Sequence, residues 1–516
     1  MGDLDHAARV LKDAVAGGQV PGGVVLAGRG DEVLLAVAAG ARRLVPSRQP
    51  MQLDTLFDLA SLTKPLVTAT LAMQLVEAGT LALGEPVGVY VPAFTGDGRD
   101  GALVRDLLTH STGLPAWKNY LAQPPTDASD RTSRFEAVVA DVCRMPLDYT
   151  PGERFHYSDL GFILLGYIIE RVAGQDLASL ARKCIFAPAG VNRACFNPPP
   201  EIAETCAATE VLDGRPLQGL VHDENARYLG GIAAHAGLFA TARDVACLCQ
   251  MLLRCGLGER GRVLSPAAVA AMTLPQSRHP GQTRGFGWDI DSDYSPNVRG
   301  DVFPPRGFGH SGFTGTSVWV DPPSGLWLVV LTNRVHPTRE GQVMGLRRRL
   351  ANVVATALLP AVRPLRLPRP LSEVRTGLEV EKAQGWPTLR GRRLGLIVNH
   401  TSIDRGRRHL LDLLCTSDEV HVARVFAPEH GLRGALDEQF ADGRDEATGL
   451  PVVSLYGSRQ APAPEHLADL DALVFDIQDA GERFYTYTTT MCLAMRAAAA
   501  ASVSFVVLDR PNLLRL

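Results

Sequence analysis

Hydrophobic and polar positions change rhythm several times along this chain of 516 residues. Two β-prone runs, Val24–Ala27 and Glu32–Ala36, are joined by Gly28-Arg-Gly-Asp31, which signals a hairpin. A mainly helical region follows to about residue 275. Within it, Asp58–Glu77 is apolar on almost every side, the pattern of a helix buried at the centre of a domain. Pro65 belongs in a first turn, so this helix is predicted to begin close to Ser61. Strand-like runs return at Gly285–Ile290, Thr316–Val320 and Leu326–Leu331, the last two flanking the turn cluster Asp321-Pro-Pro-Ser-Gly325. Strands from both ends around a helical insert predict an α+β domain over residues 1–359.

Residues 360–373 carry four prolines and no periodicity, and read as a semi-rigid linker. Beyond it, apolar runs at Leu394–Val398, Val420–Phe426, Ala472–Phe475 and Val503–Leu508 alternate with helical or loop segments. Met491–Ala501 is the clearest helix among these. The alternation predicts a second, α/β domain with a parallel sheet over residues 374–516.

Length alone already argues for more than one core. A net charge of −3 gives no electrostatic footprint for nucleic acid, and no apolar stretch is long enough to span a bilayer. A small molecule or cell-wall fragment is the expected substrate. Nine cysteines, without a Cys-x-x-Cys pair, are expected to be free thiols. The start lacks a basic region followed by an apolar run, so a cytoplasmic location is expected, with a periplasmic one following if the start is misassigned. Neither a cofactor nor a metal is indicated; in particular no Gly-x-Gly-x-x-Gly follows the first strand of the second domain.

Lysine occurs only five times among 52 basic residues, so each survivor is a candidate for a position where arginine does not serve. Lys64 stands three positions after Ser61, on the same face of the apolar helix and at its positive end. A serine hydroxyl is a poor nucleophile, and a neighbouring amine of depressed pKa can take its proton. The spacing alone is a weak pattern. A lysine at the start of a buried helix, however, needs a reason to be there.

Phe57-Asp-Leu-Ala-Ser-Leu-Thr-Lys64 resembles the nucleophile motif of class C β-lactamases, D-alanyl-D-alanine carboxypeptidases, D-aminopeptidases and related esterases. Tyr157-Ser-Asp159 and Gly309-His-Ser-Gly-Phe313 follow in the order of that family's Tyr-x-Asn and Lys-Thr-Gly elements. Leu107-Leu-Thr-His-Ser-Thr-Gly-Leu-Pro115 and Gly237-Leu-Phe-Ala-Thr-Ala-Arg-Asp244 also match, and the likeness spans about residues 5–355. It implies a serine β-lactamase/transpeptidase-like fold, with an antiparallel sheet beside a helical domain. Ser61 would form an acyl-enzyme, and Lys64 and Tyr157 would share the proton work. Amides of Ser61 and Phe313 would form an oxyanion hole, with Gly312, His310 and Asp159 lining the substrate site. His110 and Ser111 are read as shaping a helix-to-loop turn, and Thr241-Ala-Arg-Asp244 as a capping box. Asp159 replaces the family's Asn, and His310 the lysine that helps hold the penicillin carboxylate. Both departures favour a D-amino-acid amidase, peptidase or esterase over a β-lactamase.

In the second domain the polar motifs Asn399-His-Thr401, Ala427-Pro-Glu-His-Gly431, Asp476-Ile-Gln-Asp479 and Asp509-Arg-Pro-Asn512 follow successive apolar runs. Ligands bind outside the carboxyl ends of open parallel sheets, so Glu429, His430, Asp476, Asp479 and Asp509 are candidate site residues. Some of these aspartates serve equally as helix caps. Phe426-Ala-Pro-Glu-His-Gly-Leu-Arg-Gly434, Ser454-Leu-Tyr-Gly457 and Phe475–Tyr487 resemble the N-terminal, Rossmann-like part of the exo-β-N-acetylmuramidases over about residues 377–512.

Together these readings predict a serine hydrolase of D-amino-acid bonds in peptidoglycan turnover or recycling, acting on a small-molecule or muropeptide substrate. A β-lactamase, an exo-β-N-acetylmuramidase and a non-catalytic muropeptide-binding scaffold are the alternatives.

Overall fold

The N-terminal hairpin closes onto a strand whose residues, paired from Arg29 with Leu326 to Gly23 with Thr332, arrive some 300 positions later in the chain. This is seen in a computed structural model, which describes residues 4–277, 282–292, 298–359, 375–429, 431–433, 441–479 and 486–510. The predicted linker at 360–373 and His430 lie outside the described residues. The chain divides into two compact units, residues 1–361 and 362–516.

In the first unit, β1 (Gly22–Arg29), β2 (Glu32–Arg43), β3 (Gln49–Pro50), β4 (Gln282–Arg284), β5 (Asp289–Ser292), β6 (Phe308–Ser311), β7 (Ser317–Asp321) and β8 (Leu326–Thr332) form one antiparallel sheet. Their order is β3-β2-β1-β8-β7-β6-β5-β4. β1 and β8 are apolar on consecutive positions because both faces of the sheet are covered. Val25, Ala27, Leu328 and Val330 face helices α1 (Leu4–Ala16) and α4 (Met344–Leu358). Val24, Leu26, Val329 and Leu331 face the helical region, where α2 (Thr70–Glu77) and α3 (Asp159–Ala173) lie in the same core.

The run Gly285–Ile290 is not a single strand. It breaks into a tight turn, with Gly285 N–H donating to Trp288 O at 2.9 Å. Gly287 takes φ +75° there, and a Cβ on it would lie 2.7 Å from the Ala69 side chain. Only glycine lets this turn approach the helical turns after Ser61 so closely. The helical region also contains a short three-stranded sheet, Phe57–Asp58, Cys195–Phe196 and Leu238–Ala240. Strands of two or three residues carry no readable periodicity.

In the second unit, β9 (Arg393–Val398), β10 (His421–Ala427), β12 (Pro451–Ser454), β13 (Ala472–Asp476) and β14 (Ser504–Val507) run parallel, in the order β12-β10-β9-β13-β14. The sheet is mixed rather than wholly parallel, because β11 (Gly443–Arg444) joins β12 antiparallel at the edge. Both β11 and β12 escaped the sequence pattern through their shortness. Helix α5 (Tyr487–Ala500) connects β13 to β14. All nine cysteines are free, and among the described residues no helix is long and apolar enough to cross a membrane.

Candidate active site

Ser61 sits in a turn that the chain strains and then clamps. Ala60 adopts φ +48°, which a residue with a Cβ rarely takes. The buried Asp58 carboxylate accepts the Ala60 N–H at 2.9 Å and the His222 N–H at 2.7 Å. Thr314 and Thr316 hydroxyls donate to the carbonyls of Asp58 and Leu59, at 2.7 and 2.9 Å. Burial pushes the Asp58 carboxyl up to about 6, against the pull of those two amides.

A 3-10 turn at Ala60–Leu62 leads into widened helical turns over Lys64–Ala69, and only from Thr70 is the helix regular. The predicted continuous helix therefore starts late, and Pro65, which has no N–H, stands among the widened turns. Lys64 is wholly buried. Its Nζ donates to Ser61 Oγ at 2.9 Å and to His235 O at 3.0 Å, and lies 2.6 Å from Asp159 Oδ1. It also stands 5.0 Å from the centre of the Tyr157 ring. Burial alone would lower the amine's pKa, but the Asp159 carboxylate and the Tyr157 phenol outweigh it and the pKa is raised. The expectation of a depressed lysine is therefore corrected: Lys64 is held as an ammonium by the very aspartate that departs from the family pattern.

Asp159 opens α3, whose N-cap Ser158 accepts the Gly161 N–H at 3.1 Å. That cap places Tyr157 and Asp159 on either side of one helix start. His110 follows a short helix at Val104–Leu108, takes φ +58° and stacks on Tyr157 with ring centres 4.2 Å apart. It shapes a turn, as anticipated, and also backs the phenol. Thr241 and Asp244 form the expected capping box.

A cavity of about 790 Å³ opens in front of Ser61, lined among others by Tyr157, Asp159, Ser311, Gly312, Phe313 and Trp117. His310 does not line it. Its side chain is buried behind the wall, 6.1 Å from the Tyr157 ring centre, with Nδ1 donating to Ser311 O at 2.8 Å. Burial, then Arg284 and Lys64, hold His310 well below the usual histidine range, so it is neutral. Gly312 cannot serve as an oxyanion donor, because its N–H is spent on Thr316 O at 2.7 Å. Its contribution is space: a Cβ there would lie 2.4 Å from Leu59 O. Phe313 is half exposed, between the His222 ring and the Arg334 guanidinium. The sequence reading missed Asp58, His222, His235 and Arg347, whose guanidinium holds the carbonyls of Gly312 and Thr316 at 2.8 and 2.6 Å. None of the four stood out by spacing; an arginine that clamps two carbonyls far from it in the chain has no linear signature.

In the second unit, the loops after β9 and β13 are tied together. Ser402 donates to Asp476 O, and Gln478 N–H donates to Thr401 Oγ1 at 2.9 Å. Asp476 is fully buried, and both its oxygens are engaged by Arg510, at 2.5 and 2.8 Å. Glu429 lies apart from this pair in the contacts it makes, accepting from Tyr456 at 3.3 Å and from Thr486 at 3.2 Å. The carbonyl of Asp479 accepts from the Gln478 side chain at 3.0 Å. Asp509 is exposed, its carbonyl accepting the Gly377 N–H at 2.7 Å. Among the described residues no group of three or more His, Cys, Asp or Glu is arranged to hold a metal ion.

Residues 7–353 match the family model described as Beta-lactamase, and residues 394–516 the one described as Exo-beta-N-acetylmuramidase NamZ, N-terminal. A protein of Salmonella enteritidis PT4 named "Putative D-alanyl-D-alanine carboxypeptidase" is 32% identical over 336 residues, which cover 60% of this chain and 75% of that one. Among solved structures, the octameric penicillin-binding protein homologue of Pyrococcus abyssi is 26% identical with a TM-score of 0.53, covering 69% of this chain and 77% of that one. EstCE1, a hydrolase with promiscuous acyltransferase activity, is 25% identical with a TM-score of 0.55, covering 68% and 98%. The class C β-lactamase of Rhodobacter sphaeroides, at 22% identity, 69% and 100% coverage and a TM-score of 0.54, shares the fold.

Proposed function

The chain belongs to the beta-lactamase family through residues 7–353 and is a serine hydrolase, and from that premise we propose that it acylates Ser61 with a D-amino-acid peptide, amide or ester in peptidoglycan turnover or recycling. The observation that carries this reading is Lys64 Nζ bridging Ser61 Oγ and Asp159.

Ser61 Oγ attacks the substrate carbonyl, and its proton must leave as the bond forms. Lys64 is already an ammonium, so it receives that proton only as it passes one on, and Asp159 at 2.6 Å is the acceptor in reach. Tyr157 protonates the leaving group, and the proton held by Asp159 returns through Lys64 to the phenol. The leaving group thus departs with the phenol's proton, and the serine proton, passed through Asp159 and Lys64, replaces it on Tyr157. Water then cleaves the acyl-enzyme by the same steps reversed. Amides of Ser61 and Phe313 receive the developing oxyanion, an interaction of about 3–4 kcal/mol per donor in comparable enzymes.

Substrate choice follows from charge. A carboxylate at Asp159 and a neutral His310 leave Lys64, already paired, as the cation nearest the nucleophile. A substrate carboxylate beside the scissile bond meets repulsion there. Neutral or amine-bearing acyl donors are favoured over penicillins. The likeness of residues 394–516 to a muramidase module supports a cell-wall setting.

Intact mass after incubation with D-alanyl amides, D-alanyl esters and penicillins tests the proposal. A stoichiometric adduct lost in Ser61→Ala, formed faster with esters than with penicillins, is expected. Labelling that persists in Ser61→Ala overturns it.

A further inference from the structure

We infer that His110 is a positioning residue for Tyr157, its imidazole forming the platform that holds the phenol against Lys64 and the Ser61 hydroxyl. This rests on the reading of Ser61 and Tyr157 as the reacting pair. Four observations carry it.

First, the two rings stack with centres 4.2 Å apart and planes 26° apart, so the imidazole covers one face of the phenol. Second, His110 is bound to the segment carrying Tyr157 on both sides of that residue. Its Nδ1 accepts the Ser158 N–H at 3.1 Å, and its carbonyl accepts the His156 N–H at 2.9 Å. A shift of His110 therefore moves the backbone on each side of the phenol. Third, His110 is itself immobilised. It is buried, Phe162 lies 4.9 Å and Phe155 6.0 Å from its ring centre, and Tyr149 O–H donates to its carbonyl at 3.4 Å.

Fourth, the turn alone does not account for a buried imidazole. The left-handed φ of +58° suits Gly or Asn better. The ring also leaves Nε2 buried without a hydrogen-bond partner, a cost that a turn residue does not require. Because Nδ1 accepts from Ser158, the proton of the neutral ring is on Nε2. Burial, followed by Arg284, Lys64 and His310, holds His110 well below the usual histidine range. The platform is thus uncharged and adds no second cation beside Lys64.

Two variants of the full chain separate the contributions, assayed with a p-nitrophenyl ester and with a fluorophosphonate. His110→Asn accepts the left-handed backbone and offers an oxygen to Ser158 N–H, but lacks the ring. Its kcat is expected to fall about 10²-fold, the scale of a misplacement near 1 Å. KM should stay within about threefold, since His110 does not line the cavity. His110→Phe keeps a ring under Tyr157 and should retain more of kcat than His110→Asn. Wild-type kcat in a folded His110→Asn, or a His110→Phe no better than His110→Asn, overturns the inference. A wild-type chain that neither turns over the ester nor takes up the fluorophosphonate overturns the Ser61 reading on which it rests.

Discussion

Lys64 and Asp159 form an ion pair of 2.6 Å directly beneath the nucleophile, with the lysine fully buried and the aspartate one-fifth exposed. The pair explains two facts at once. It keeps a cation in an apolar interior, where an unpaired ammonium would shed its proton. It also places a negative charge beside Ser61 where the wider family carries a neutral amide, and on the proposed reaction that charge disfavours substrates with a carboxylate next to the scissile bond.

Asp159→Asn therefore has opposite effects on two readouts. Removing the carboxylate lets burial lower the Lys64 pKa, so the amine becomes available as a base at lower pH than in the wild type. Acylation by penicillins, whose carboxylate is no longer repelled, is expected to quicken about tenfold, a gain of about 1.4 kcal/mol. Stability falls by up to about 3 kcal/mol, because half of a buried pair is gone. Stopped-flow acylation and thermal melts check the two directions independently.

Lys64→Arg tests whether charge or proton transfer matters. Guanidinium keeps the pairing with Asp159 but neither gives up nor receives a proton near neutral pH. Ester turnover should drop about 10³-fold, within the range general acid–base groups supply. Lys64→Met, which leaves Asp159 unpaired, should be as inactive and less stable. An arginine variant with wild-type kcat would show that the lysine is only a fixed positive charge.

How much of this was legible in the amino-acid order depends on length scale. β1, β8, β9 and β13 announce themselves by apolar runs, because burial on both faces leaves almost no polar positions to confuse the pattern. Ser61, Lys64 and Tyr157 are carried by local motifs, and the structure brings them together. What stayed hidden is non-local. His310 occupies a motif position, yet Ser311, Gly312 and Phe313 form the wall while its own ring turns inward. The sign of the Lys64 shift depends on a carboxylate 95 positions away, which a spacing argument does not weigh. The turn inside Gly285–Ile290 brings Gly287 so close to Ala69 that no side chain fits there, a constraint set by a helix more than 200 positions earlier.

Asp58 supplies a pH test. Its folded pKa, about 6, lies above the ordinary carboxyl value of 3.8, so the native state binds this proton more tightly than the unfolded chain. Its contribution to stability is complete below about pH 4, falls between pH 4 and 6, and is lost above the folded pKa. The shift corresponds to about 3 kcal/mol. Chemical denaturation of the wild type and of Asp58→Asn across pH 4–7 should show the wild type losing that amount relative to the non-titrating variant. A pH-independent difference would show that Asp58 does not titrate in that range.

Arg510 and Asp476 in the second unit permit a test that leaves Ser61 untouched. Asp476 ends β13, is fully excluded from water and gives both oxygens to Arg510, itself almost buried and also bound to Ile403 O at 3.3 Å. One pair thus joins the loop after β9, the end of β13 and the segment after β14. Burial raises the Asp476 pKa although Arg510 opposes it, so loss of the arginine leaves a carboxylate that must either protonate or take in water. Arg510→Met should cost about 3–5 kcal/mol, felt as faster amide exchange in β9 and β13. Asp476→Asn combined with Arg510→Met should recover much of that loss, because a neutral amide replaces the stranded charge. Fluorophosphonate labelling of Ser61 should be unchanged in both. If the single variant exchanges no faster than the wild type, the pair does not secure the sheet, and Asp476 is better regarded as a group held ready for sugar chemistry than as a structural one.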